Sequence, residues 1–121
     1  MQIYYNNEQT MRQDSAMNDQ SHLRKELSLM KQEYLPLGVE IVGIFGSVAR
    51  GENDAYSDID IAYKLHKDIF FQRYQDGFSQ LLKLEEIKHR LEKQLHRRID
   101  FVNITSNSAL EEAASKDMLY V

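Results

Sequence analysis

A chain of 121 residues accommodates one domain around one core, and an apolar fraction of 42% is enough to build it. A formal net charge of −4 argues against the basic surface that non-specific nucleic-acid binding requires, so no direct nucleic-acid contact is expected. There is no cysteine, which excludes disulfides, thiolate nucleophiles and zinc–sulfur centres. No apolar run approaches the roughly 20 residues of a membrane span, and the N-terminus lacks a basic start followed by an apolar stretch. A soluble, cytoplasmic protein with no membrane contact is the expectation.

Residues 1–20 are dominated by Asn, Gln, Asp and Ser and sustain no helical or strand period. They read as a flexible polar leader to a domain over residues 21–121. From Ser21 to Tyr34 the residues Leu23, Leu27, Met30 and Tyr34 recur at helical spacing and give one apolar stripe. Pro36 and Gly38 then break the pattern. Val39 to Phe45 (VEIVGIF) is β-branched, aromatic and nearly all apolar, as in a strand covered on both faces. Gly46 to Arg50 follow at the turn, and Gly51 to Tyr56 read as a loop. Ser57 to Tyr63 (SDIDIAY) alternates as a second strand, with Asp58 and Asp60 on one face and Ile59 and Ile61 on the other. Asp68 to His96 is mostly helical, striped by Phe78, Leu81, Leu84, Ile87, Leu91 and Leu95, with a break near Gly77. Ile99 to Ile104 is a third strand, Asn107 to Lys116 a short helix, and Met118 to Val121 an apolar tail. Strands mixed with covering helices predict a layered α/β (α+β) domain around one small sheet.

The chemistry concentrates in Gly46–Asp60, GSVARGENDAYSDID. Two carboxylates on one strand face repel each other, and a divalent cation relieves that repulsion. Mg²⁺ takes hard oxygen ligands and keeps room for phosphates and water. Alone, Asp-x-Asp is a weak signal, and two solvated surface carboxylates are its plainer reading. Gly46 and Ser47 lie where the first strand turns. Ser47 with Val48, Ala49 and Arg50 can open a short helix whose free N–H groups attract phosphate. Ser47 as an ordinary helix cap is the plainer reading. The Arg50 guanidinium suits phosphate oxygens. Asp100, between Ile99 and Phe101, is costly in a central strand unless metal-bound or paired; the plainer readings are an ion pair with Arg97, Arg98 or a neighbour, or a solvent-facing position on an edge strand.

These residues resemble a known family. A strand followed by Gly46-Ser47, ten residues, Asp58-Ile59-Asp60 and a later strand bearing Asp100 is similar to the DNA polymerase β-type nucleotidyltransferase superfamily. The fuller string GSVARGENDAYSDIDI resembles the minimal nucleotidyltransferases, antitoxin-like partners of HEPN (higher eukaryote and prokaryote nucleotide-binding) toxins. The resemblance runs over about residues 21–121. It implies a mixed, twisted sheet flanked by helices. It implies that Asp58 and Asp60 bind two Mg²⁺ ions, that Asp100 completes the catalytic site, and that Gly46 and Ser47 hold the triphosphate of ATP. Arg50 would add a phosphate contact. The implied reaction transfers AMP, or another nucleoside monophosphate, to a hydroxyl; in toxin–antitoxin members the acceptor is a tyrosine of the HEPN ribonuclease. Larger members use a further domain to grip base and acceptor, and the 17 residues after Ile104 are too few for one, so a partner is expected to complete the site.

Two other readings stand beside this one. The domain could neutralise its partner by contact, with a vestigial site, or modify a small molecule such as an aminoglycoside; the missing substrate domain weighs against the latter. His22, His66, His89 and His96 share no metal-ligand spacing and read as surface residues. Lys88, His89, Arg90, Lys93, His96, Arg97 and Arg98 make the end of the long helix basic, either as a solvated face or as a contact for a partner or nucleotide. Ile69, Phe70, Phe71 and Tyr74 read as core or as a partner surface.

Overall fold

The computed structural model describes residues 15–52 and 58–121. In chain order the elements are α1 (Ser15–Tyr34), a 3₁₀ turn (Leu35–Leu37), β1 (Val39–Phe45), α2 (Gly46–Arg50), β2 (Ile59–Leu65), α3 (Lys67–Arg73), α4 (Gly77–Leu95), β3 (Ile99–Asn103), α5 (Ser108–Ser115) and β4 (Leu119–Tyr120). The leader predicted over 1–20 falls largely outside the described residues, and its last part, from Ser15, is already helical. Polar residues carry no apolar stripe, so periodicity could not reveal that extra length.

Four strands form one mixed sheet in the order β3-β2-β1-β4. β1 runs antiparallel to both β2 and β4, whereas β2 and β3 are parallel. α1 lays Leu23, Leu27, Met30 and Tyr34 into the core with Ile41, Ile44, Ile59, Ile61 and Ile99. The second long helix divides at Tyr74–Asp76: the Asp76 side chain accepts the Ser79 N–H at 2.8 Å and caps α4.

α4 departs from its predicted stripe. Ile87, Leu91 and Leu95 are buried, but Phe78 is 70% and Leu81 58% exposed. A helix of 19 residues is about 28 Å long, whereas the five residues of β3 span about 17 Å. The first turns of α4 therefore extend beyond the strand beside it. Phe70 is fully buried, while Ile69 and Phe71 are exposed.

The apolar tail is the fourth strand. β4 pairs with β1 at Gly43↔Tyr120 and Ile44↔Leu119, beside a register shift in β1 between Ile41 and Gly43. A Cβ on Gly43 would lie 2.3 Å from the Leu119 carbonyl oxygen, so glycine is what lets β4 approach. All four histidines are exposed. Among the described residues no helix is long and apolar enough to cross a membrane.

Candidate active site

One end of the sheet gathers three chain segments. β1 finishes at Phe45, while β2 and β3 begin at Ile59 and Ile99. The pairing sets Phe45 opposite Asp60 and Asp60 opposite Asp100. Gly46, Asp60 and Asp100 are therefore neighbours across three adjacent strands, although they are far apart in sequence.

Gly46 is the tightest part of this arrangement. Its φ is +74°, a left-handed conformation that side chains disfavour. A Cβ there would stand 2.2 Å from Asp60 Oδ2. The carboxylate thus sits against the main chain in space that only glycine leaves open. α2 starts immediately at Gly46, without a side-chain cap among the described residues, so its first amide donors retain capacity for an acceptor. The other end of α2 is anchored: Gln20 Nε2 donates to the Val48 carbonyl at 2.8 Å, and the Glu52 N–H to the Ser47 carbonyl at 2.9 Å. Ser47 is half-buried beside the turn.

Asp60 carries the electrostatic strain. Burial raises its pKa above the ordinary carboxylate value, the charges of Asp100 and Asp58 raise it further, and Arg50 opposes them. Three carboxylates thus act on one another with a cation nearby. Asp58 lies just before β2 rather than within it and is exposed. Its Oδ1 accepts from Arg98 Nε at 3.2 Å, and the Arg98 carbonyl accepts the Ile59 N–H at 3.0 Å. Arg98 therefore pairs with Asp58, not with Asp100 as one sequence alternative had it. Asp100 is exposed on edge strand β3, the solvent-facing alternative that its sequence context allows, so the burial cost of a central strand does not arise.

Arg50 is held by two carboxylates: Nε donates to Glu52 Oε2 at 3.0 Å and Nη1 to Asp117 Oδ2 at 3.1 Å. Asp117, Gln20 and the Arg98–Asp58 pair were not read as site features from the sequence. Arg98 could have been suspected from its basic cluster; a polar contact across 67 residues, as between Arg50 and Asp117, leaves no local signal.

The donor set suits a hard divalent cation: three carboxylates, among which burial and then the charges of Asp100 and Asp58 raise the pKa of Asp60, itself seated where a Cβ on Gly46 would collide. The side chains do not converge into a finished cage; among the described residues no three His, Cys, Asp or Glu side chains are grouped to hold an ion. Asp58 instead faces Arg98.

A family model described as polymerase beta, nucleotidyltransferase matches residues 25–119, nearly all of this architecture. The chain belongs to the polymerase beta nucleotidyltransferase family. Nucleotidyltransferases generally act on a nucleoside triphosphate with a divalent metal. Two proteins of Methanocaldococcus jannaschii, each bearing the name "Putative protein adenylyltransferase", are 34% and 31% identical to this nucleotidyltransferase over 101 residues. Each alignment covers 82% of this chain and 90% of the relative. No solved structure matches the chain significantly.

Proposed function

We propose that this nucleotidyltransferase transfers AMP from ATP to a hydroxyl of a partner protein. The observation that carries the reading is the seating of Asp60 against Gly46, with Asp100 paired beside it in the strand register and an uncapped helix start next to both. Gly46 and Ser47 offer main-chain and hydroxyl donors to the triphosphate, and Arg50 adds a cation. Asp58, Asp60 and Asp100 would hold two Mg²⁺ ions, which supply charge neutralisation at the attacking and leaving oxygens. Asp100, open to solvent, accepts the proton of the acceptor hydroxyl. The hydroxyl oxygen attacks the α-phosphorus, the bond from that phosphorus to the β-bridging oxygen breaks, and pyrophosphate leaves. Positioning and electrostatics contribute most of the acceleration in such transfers.

The names of the two archaeal relatives support a protein acceptor. Exposed apolar side chains support one too: Phe78, Leu81 and Leu82 lie on one face of α4 at helical spacing, and α3 exposes Ile69 and Phe71. We take the acceptor to be a tyrosine of a HEPN ribonuclease, with this chain as its antitoxin. Intact-mass measurement of the proteins encoded on either side of its gene, after incubation with the chain, Mg²⁺ and ATP, tests this. A gain of one or more AMP units, absent when Asp58 and Asp60 are both Ala, is the expected result. The same exposed face favours a second reading, neutralisation by contact alone; a stable complex with no mass gain selects it.

A further inference from the structure

The C-terminal strand does more than extend the sheet. Gly43 leaves room for the Leu119 carbonyl, the Val121 N–H donates to the Val42 carbonyl at 3.1 Å, and Lys31 Nζ donates to the Val121 carbonyl at 2.9 Å. Arg24 adds a bond to the Tyr120 carbonyl at 3.2 Å. These contacts fix the α5–β4 junction, and Asp117 stands on that junction. Its carboxylate meets Nη1 of Arg50, whose Nε is taken by Glu52. α2 has five residues, so Arg50 lies only about 6 Å of helix rise beyond Gly46, which touches Asp60. A guanidinium carries five N–H donors, and two bonds leave others for phosphate oxygens.

We propose that Asp117 is a positioning residue for the nucleotide: with Glu52 it orients the Arg50 guanidinium so that its remaining donors meet the triphosphate. This rests on the nucleotidyl-transfer reading above. A long, exposed arginine loses rotamer entropy when it binds phosphate, and a guanidinium already held by two carboxylates loses less. The C-terminal strand, paired with β1 close to where it turns into α2, thereby serves the site. Asp117 touches neither substrate nor reacting atoms and acts only through Arg50.

Three measurements on the full chain test the proposal. In the wild type the Arg50 Nε–H gives a sharp, slowly exchanging NMR signal, which Asp117→Ala broadens while the fold and melting temperature stay unchanged. Asp117→Ala weakens binding of a fluorescent ATP analogue and raises KM for ATP by about two- to fivefold, the scale of one exposed charge-assisted contact, with kcat held. Asp117→Glu restores part of the loss, and Asp117→Ala adds nothing once Arg50 is Ala. If the wild type binds the analogue and Asp117→Ala binds it equally well or more tightly, the proposal is overturned; tighter binding means that Asp117 competes with phosphate. If the wild type binds no nucleotide, the nucleotidyl-transfer reading falls first and takes this one with it.

Discussion

Replacing Gly46 by alanine separates the cost to the fold from the cost to the chemistry. The new Cβ stands 2.2 Å from Asp60 Oδ2, and ordinary contact begins near 3.4 Å, so the carboxylate must retreat by about 1.2 Å. The opposing atom is the tip of a rotatable side chain, so the fold yields easily there. The backbone cost of an L-residue at φ +74° is about 1–2 kcal/mol, which lowers the melting temperature by roughly 4–8 °C. The functional cost is larger, because a misplacement of about 1 Å at a reacting centre lowers the rate by roughly 100-fold. Gly51→Ala is the matched control: its φ is +73°, but among the described residues the nearest neighbour of an added Cβ is Gln20 Nε2 at 3.9 Å. Melting curves and initial rates of AMP transfer on the two variants decide the matter. Similar stability losses, with transfer lost only at Gly46, are expected. If Gly46→Ala transfers as well as Gly51→Ala, the seating of Asp60 is irrelevant to catalysis.

Three further outcomes follow from the same structure. Asp60→Asn abolishes transfer yet raises the melting temperature of the metal-free protein at neutral pH. The native pKa of Asp60 lies above its unfolded value, so ionisation disfavours the native state above the native pKa, and the penalty fades as pH falls toward the ordinary carboxylate range. Melting curves of wild type and variant at several pH values should therefore converge on acidification; a gap that widens instead contradicts the assignment. Tyr34→Phe should hold or raise stability by about 1 kcal/mol, because the buried Tyr34 hydroxyl has no hydrogen-bond partner among the described residues; clear destabilisation in a denaturant titration would show that the hydroxyl is satisfied in solution. Leu81→Asp, at a position 58% exposed, should leave the melting temperature of the isolated chain unchanged and weaken pull-down of its acceptor; unchanged capture would remove α4 from the interface.

The grouping at the candidate site was legible because its parts lie close in sequence or repeat with a strand's period. Gly46, Ser47, Asp58 and Asp60 share one short segment, and the alternation around Asp60 placed Ile59 and Ile61 in the core, where the structure has them. Asp100 was legible only by order and strand context, and its pairing with Asp60 emerges from the parallel register of β2 and β3. β4 was read as a tail because a strand of two residues shows no period. The stripe of α4 correctly gave a helix face, but periodicity says nothing of what covers that face: Ile87, Leu91 and Leu95 are buried, whereas Phe78 and Leu81 of the same stripe are exposed. Asp117 was invisible because its meaning depends on how Gly43 admits the last strand.

The proposed reaction moves the α-phosphoryl group and its nucleoside to a protein hydroxyl, with Asp60 essential. The most direct measurement offers the chain and Mg²⁺ two ATP samples, one radiolabelled at the α-phosphorus and one at the γ-phosphorus, together with extract from its own cells. Label entering a protein band from the α-labelled ATP alone, and lost with Asp60→Asn, is the predicted result. Label from the γ position, or equal labelling by Asp60→Asn, would contradict the account.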